Sequence, residues 1–422
     1  MTAAIRKEIL QCENVPGPGG SVGHAVKAGP LVFLSGQLAS DFRTGVAPEV
    51  RVPEGLPHHR NAMAVQSEYV FRNIATIMEA AGSSVENVIK VQSYTPNLDE
   101  ISGHLAVRRR FFTRVSPAST AIECNLVVPG CHVEIDAIGA LPGVAQAINT
   151  DRAPRPLVPY SQAVKAGPFL FLAGVLASDF KTGVAPAART NPDFPWFDSP
   201  IRRQTEYVLR TIATILEACG SGLDQIVKAH VILTDIRDFF GFEEIWRRFF
   251  PRDPPARSVF QGGLVNPGMV VEIDVIALAP DAGLRKEPIR TGRAPVPALC
   301  ESQAVVAGPW VFLGGQMATD WNSAIAPEAR IDPNFPRYRS RGTAQMEYIV
   351  KNMQTILEVA GTSLDHVVKL WAFHTDLVDL ADALEARRGA FAQPTAGTTV
   401  HTAALPIPGC AVMMDAIAVI PQ

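Results

Sequence analysis

Short apolar runs and long amphipathic stretches alternate along this chain in a fixed order, and the order is written three times. Residues 25–37 read AVKAGPLVFLSGQ, residues 163–175 AVKAGPFLFLAGV and residues 304–316 AVVAGPWVFLGGQ. Each predicts an apolar strand after an Ala-Gly-Pro turn, over residues 31–35, 169–173 and 310–314. A stretch with helical spacing follows. In residues 68–81 the side chains of Tyr69, Ile74, Ile77 and Met78 share one face. Gly82, Gly220 and Gly361 stand just beyond these helices, where a left-handed cap is wanted. Next come β-rich runs (88–94, 226–233, 367–373) and a second helix with paired arginines, read as Arg109-Arg110, Arg247-Arg248 and Arg387-Arg388. Two closing strands flank Pro129-Gly130, Pro267-Gly268 and Pro408-Gly409. The predicted unit is β-β-α-β-α-β-β, an α+β layer with both helices on one sheet face. The other face needs cover, and sister repeats are at hand to supply it.

The register holds over whole domains: Gln66–Tyr69 returns as Gln204–Tyr207 and Gln345–Tyr348, 138 and then 141 residues on. So long a period means fused domains rather than a solenoid of short repeats. Residues 1–148, 149–288 and 289–422 are the three units expected. The proline-rich segments 152–156 and 293–297 are read as stiff joins between them. Three like domains in one chain form a covalently tied trimer, in which each copy drifts separately. The expectation is a monomeric pseudo-trimer or a dimer of it.

A formal charge of −3 gives no electrostatic reason to expect nucleic acid or an anionic membrane as partner. Six scattered cysteines without a CxxC pattern read as free thiols, and the first seventeen residues hold no apolar run of signal-peptide type. A cytoplasmic protein is expected. His58 and His59 have no companion at metal-ligand spacing, so no metal is expected.

Repeat 2 carries Pro159-Tyr160-Ser161-Gln162-Ala163, Pro255-Ala256-Arg257-Ser258 and Val271-Glu272-Ile273-Asp274. These motifs resemble those of the RidA/YjgF family, and the resemblance covers practically the whole chain three times over. It implies chorismate-mutase-like units, sites in clefts between neighbouring units, and cofactor-free hydrolysis of enamines and imines to oxo acids and ammonia. It further implies that the arginine clamps a substrate carboxylate and that the glutamate orients water. An imine carbon is already electrophilic, so a bidentate anchor and a positioned proton acceptor suffice.

Counted back from the shared Pro-Gly, the arginine position reads Ser119, Arg257 and Thr398. The tyrosine position reads Val22, Tyr160 and Glu301, and the glutamate position Glu134, Glu272 and Met413. Repeat 2 alone keeps all three, so one main pocket is expected, with Arg257, Glu272 and Tyr160 catalytic. Gly174 and Glu243 are expected to line it. The insertion before the first helix, with Trp196 and Phe197, is read either as a roof over that cleft or as a packing surface. A small carboxylate-bearing molecule, of the kind 2-aminomuconate exemplifies, is the expected ligand. Two other readings stay open. One is a ring-opening amidase using Ser35 with the threefold lysines Lys90, Lys228 and Lys369. The other is a ligand-binding scaffold without catalysis.

Overall fold

The computed structural model describes residues 5–17, 22–52, 61–194 and 196–421. Each repeat folds as an antiparallel sheet with one parallel pair, carrying two helices on its outer face. In repeat 1 the strand order is Lys7–Leu10, Ala25–Ala28, Leu31–Leu34, Glu134–Ala140, Val88–Thr95 and Ala118–Glu123. Repeats 2 and 3 follow the same order from Ala145–Ile148 and Lys286–Ile289 respectively. The parallel pair joins the strands on either side of the second helix, as a crossover connection requires. The long helices Ala62–Ala80, Pro200–Ala218 and Arg341–Val359 are 19 residues each. Each ends on a glycine at positive φ (Gly82 at 78°), and Ser83 N donates to Met78 O at 2.9 Å to close the cap. Among the described residues, no helix is long and apolar enough to cross a membrane.

Two details of the division differ from expectation. The strands Ala145–Ile148 and Lys286–Ile289 pair with the sheets that follow them, so units 2 and 3 begin before those strands. Short, half-polar edge strands of this kind leave little periodicity to read. The proline-rich segments consequently lie inside units 2 and 3, not between units. Gln162 Nε2 donates to Pro154 O at 3.0 Å, and Gln303 Nε2 to Pro295 O at 2.9 Å.

The three sheets face one another around a common axis, where the central strands are buried along their whole length. At the axis each repeat reaches into the next. Lys90 approaches Asp274 at 3.4 Å, Lys228 approaches Asp415 at 3.1 Å, and Lys369 approaches Asp136 at 2.7 Å. The same ammonium groups donate to Leu172 O, Leu313 O and Leu34 O. Two residues along, Gln92 donates to Asp274, His230 contacts Asp415, and Trp371 donates to Asp136. This ring runs 1 to 2, 2 to 3 and 3 to 1, so the chain closes as a pseudo-trimer. The lysines are seam residues. Ser35 is fully buried and donates to Gly23 O, so the serine–lysine pairing of a ring-opening amidase finds no geometric support.

Candidate functional site

Each seam brings the second helix and parallel strand of one repeat against the opening segment and closing strand of the next. Opposite Lys90, Lys228 and Lys369 the partner strand places Ala118, Ala256 and Ala396, so the next residues are Ser119, Arg257 and Gly397. The arginine position of repeat 3 is therefore Gly397, not Thr398. The connection after the second helix is one residue shorter there, and the turn before Pro408 one residue longer. Thr398 instead matches Thr120, and each accepts a 2.9 Å hydrogen bond from its axial lysine.

Because of this geometry, Arg257 does not share a cleft with Tyr160 and Glu272. Arg257 faces the seam between repeats 2 and 3, where its side chain is wholly buried. Nη1 lies 2.8 Å from Glu243 and Nη2 lies 3.1 Å from Glu301. The guanidinium also stands 5.3 Å over Phe242 and 5.0 Å over Trp246. Glu301 occupies the tyrosine position of repeat 3, so a carboxylate of the chain sits where the resemblance would put a ligand's. Burial pushes its carboxyl up to about 7 against the pull of Arg257, with Glu243 adding to the rise. Glu243 is fixed further by Cys300 N at 2.7 Å and by Arg247 at 2.9 Å. Met413 takes the glutamate position. The cleft expected to be the main pocket is an internally neutralised seam.

Tyr160, Gly174 and Glu272 line a cavity of about 180 Å³ between repeats 1 and 2. Its guanidinium comes from Arg108, on the second helix of repeat 1 (Ile101–Phe111). Ile101, His104, Leu105 and Arg108 recur at three- and four-residue spacing and all face this cavity. Arg109 and Arg110, the pair read from the sequence, point to solvent. Trp246 fills the position of Arg108 in repeat 2 and Arg387 fills it in repeat 3. The signal was present in the helical stripe, where an arginine continues the apolar face. Arg108 Nη1 donates to Ser119 Oγ at 2.7 Å, and Nη2 to Pro117 O at 3.3 Å. Burial lowers this guanidinium to about 10, so it stays charged at neutral pH.

Across the cavity, Glu272 lies against Gly174 so closely that a Cβ there would be 1.9 Å from Oε1. Only glycine leaves room for that carboxyl. Burial, with Asp274, raises Glu272 to about 8 against the pull of Lys90, so it holds a proton at neutral pH. Tyr160 keeps its proton as well, because burial and Glu272 raise its hydroxyl. Behind them, the His104 ring bridges Ser67 Oγ at 3.1 Å and Ser93 Oγ at 3.2 Å, and Ser93 lines the cavity. Burial, aided by Arg108, lowers His104 to about 3, leaving a neutral imidazole.

Trp196 and Phe197 are 92% and 87% exposed and line none of these clefts, so they do not roof the site. His58 and His59 lie outside the described residues.

Three α+β units close around one axis, and the seam between repeats 1 and 2 holds a cavity lined by a buried arginine and a buried glutamate. The chain belongs to the endoribonuclease L-PSP family, whose model matches it over residues 12–141, 150–279 and 291–420, and it is a three-copy fusion of the RidA/YjgF type. A RutC family protein of Pyrococcus horikoshii is 37% identical over 132 residues, covering 31% of this chain and 96% of that protein. Reactive Intermediate Deaminase A of Arabidopsis thaliana is 35% identical over 132 residues, covering 31% of this chain and 65% of that protein. The solved structure of RidA from Psychrobacter sp. is 34% identical, with a TM-score of 0.27 over 32% of this chain and 98% of that one.

Proposed function

We propose that the chain hydrolyses small 2-imino acids, or their enamine tautomers, to 2-oxo acids and ammonia in the cleft between repeats 1 and 2. One observation carries the reading: a buried arginine and a buried glutamate face each other across a ligand-sized cavity. The deaminase named among the relatives supports it at the level of the family. Arg108 anchors the carboxylate, and Ser119 and Pro117 O hold the guanidinium in place. Tyr160 lies beside the bound acid as a neutral hydrogen-bond donor. Glu272 passes its proton to the imine nitrogen and takes one from the water adding to carbon, which gives a carbinolamine. It then relays the hydroxyl proton to the amine, the C–N bond breaks, and ammonia leaves with the 2-oxo acid. A carboxyl whose pKa lies near neutrality serves both directions of this transfer. The exposed aromatic insertion gives no reason to prefer an aromatic-ring-cleavage product such as 2-aminomuconate.

The test is ammonia release from freshly generated 2-aminoacrylate. Wild type is expected to exceed the spontaneous rate and Arg108→Ala to fall about 10- to 100-fold toward it, while folded Arg257→Ala retains turnover. No acceleration by wild type, with saturable binding of a 2-oxo acid, would instead establish a non-catalytic binder.

A further inference from the structure

The seam between repeats 3 and 1 holds a second cavity, of about 290 Å³, built position for position like the first. Val22 replaces Tyr160, Gly36 replaces Gly174, Glu134 replaces Glu272 and Arg387 replaces Arg108. The carboxyl–glycine contact is repeated, since a Cβ on Gly36 would lie 2.0 Å from Glu134 Oε1. Burial, with Asp136, raises Glu134 to about 8 against Lys369.

Most of the differences run one way, although Thr399 stands where the first cleft has Ala121 and Arg388 joins the wall. Where the first cleft presents Tyr160, Asn266 and Ser119, the second presents Val22, Val128 and Gly397. Ser93 and His104 correspond to Ala372 and Ala383 in repeat 3. The loss of Ser119 also frees the arginine. Arg387 is 6% exposed, and among the described residues nothing hydrogen-bonds its guanidinium, whose Nη1 is fully buried without a partner. A buried charged fork without an anion carries a desolvation cost that a ligand carboxylate offsets. Leu38, Phe42 and Leu384 complete apolar walls around it.

We infer that the cleft between repeats 3 and 1 is a separate binding site for a small monocarboxylate bearing a branched or aromatic apolar substituent, held by Arg387. A homotrimer has three identical seams, whereas this fusion has one closed seam and two clefts whose linings differ. The chain accordingly handles two classes of acid at once. This inference shares with the proposed function the reading of a buried arginine as a carboxylate anchor, but it does not depend on turnover.

Calorimetric titration with 4-methyl-2-oxopentanoate tests it. Wild type and Arg108→Ala are expected to bind one equivalent at the apolar site with the same affinity, and Arg387→Ala to bind at least tenfold more weakly. Should Arg387→Ala lose its fold, Val128→Asn reads the same site without touching the anchor and is expected to weaken binding at least tenfold. Unchanged affinity in Val128→Asn or in folded Arg387→Ala, or loss in Arg108→Ala, would overturn the inference. Binding that depends on Arg387 in a protein that releases no ammonia from 2-aminoacrylate would leave it standing while the deaminase reading falls.

Discussion

Arg108 on a helix donates to Ser119 on the neighbouring strand, and Ser119 fills the strand position that holds Arg257 in repeat 2. The two positions alternate in what they carry. Strand serine or glycine goes with helix arginine in repeats 1 and 3, and strand arginine goes with helix tryptophan in repeat 2. Each seam thus contains one buried guanidinium, delivered from either of two elements. Among the described residues, only the strand-borne one is neutralised by carboxylates of the chain, Glu243 and Glu301.

Loss of the Arg108 anchor is expected to lower kcat/KM for 2-imino acids about 10- to 100-fold, from the roughly 1.5–3 kcal/mol of a hydrogen bond to a charged group. Arg108→Lys is expected to recover part of this, since an ammonium keeps the charge but not the fork. Steady-state ammonia release on both variants checks it.

Arg257→Ala is expected to act on stability instead. It leaves Glu301 buried without its cation and Glu243 with Arg247 alone, a loss of about 3–5 kcal/mol by the usual cost of breaking a buried pair. Urea unfolding measures this. Turnover per folded molecule in the cleft between repeats 1 and 2 is expected to be unchanged.

The raised carboxyls give the pH dependence a definite sign. Glu134 and Glu272 have folded-state pKa values of about 8, above the ordinary value, so the native state binds more protons than the unfolded chain between pH 4.5 and 8. Their contribution to stability is full at acid pH and disappears as pH rises through 8. Each is expected to contribute a slope approaching about −1.4 kcal/mol per pH unit in that window. Denaturation across pH 5–8 should show the decline, and Glu134→Gln with Glu272→Gln should flatten it.

Asp415 on the axis has the opposite sign. Burial alone would raise Asp415, but Lys228 and His230 hold it down at about 2. That stabilisation is present above the ordinary carboxylate range and is lost as pH falls toward 2. Lys228→Met strips the cation from a carboxylate that is fully buried, and is expected to cost about 3–5 kcal/mol. The comparison of unfolding curves at neutral pH decides it.

The paired substitution Trp196→Ala with Phe197→Ala is expected to leave kcat/KM within twofold and stability within about 0.5 kcal/mol, as for exposed side chains in general. A larger kinetic loss would show that the insertion does reach the cleft.

Sequence alone settled the unit and its threefold copying. Alternation of period two, helical spacing, Gly82-type caps and Pro-Gly turns are consequences of local backbone geometry, and each repeat states them again. Residues at the seams were a different matter. A cleft wall combines side chains from two repeats, so Arg257 and Glu272, fifteen residues apart and on strands either side of Ile226–Leu233, face different neighbours. Counting from Pro408 hid the one-residue shift that puts Gly397 in the arginine position, because strand pairing and not chain length sets the register. The choice between Arg108 and Arg109 depended on which side of the helix meets the sheet. Whether an arginine is free for a ligand depended on which carboxylates the next repeat brings against it. Those are properties of packing between distant segments, and only the tertiary structure decided them.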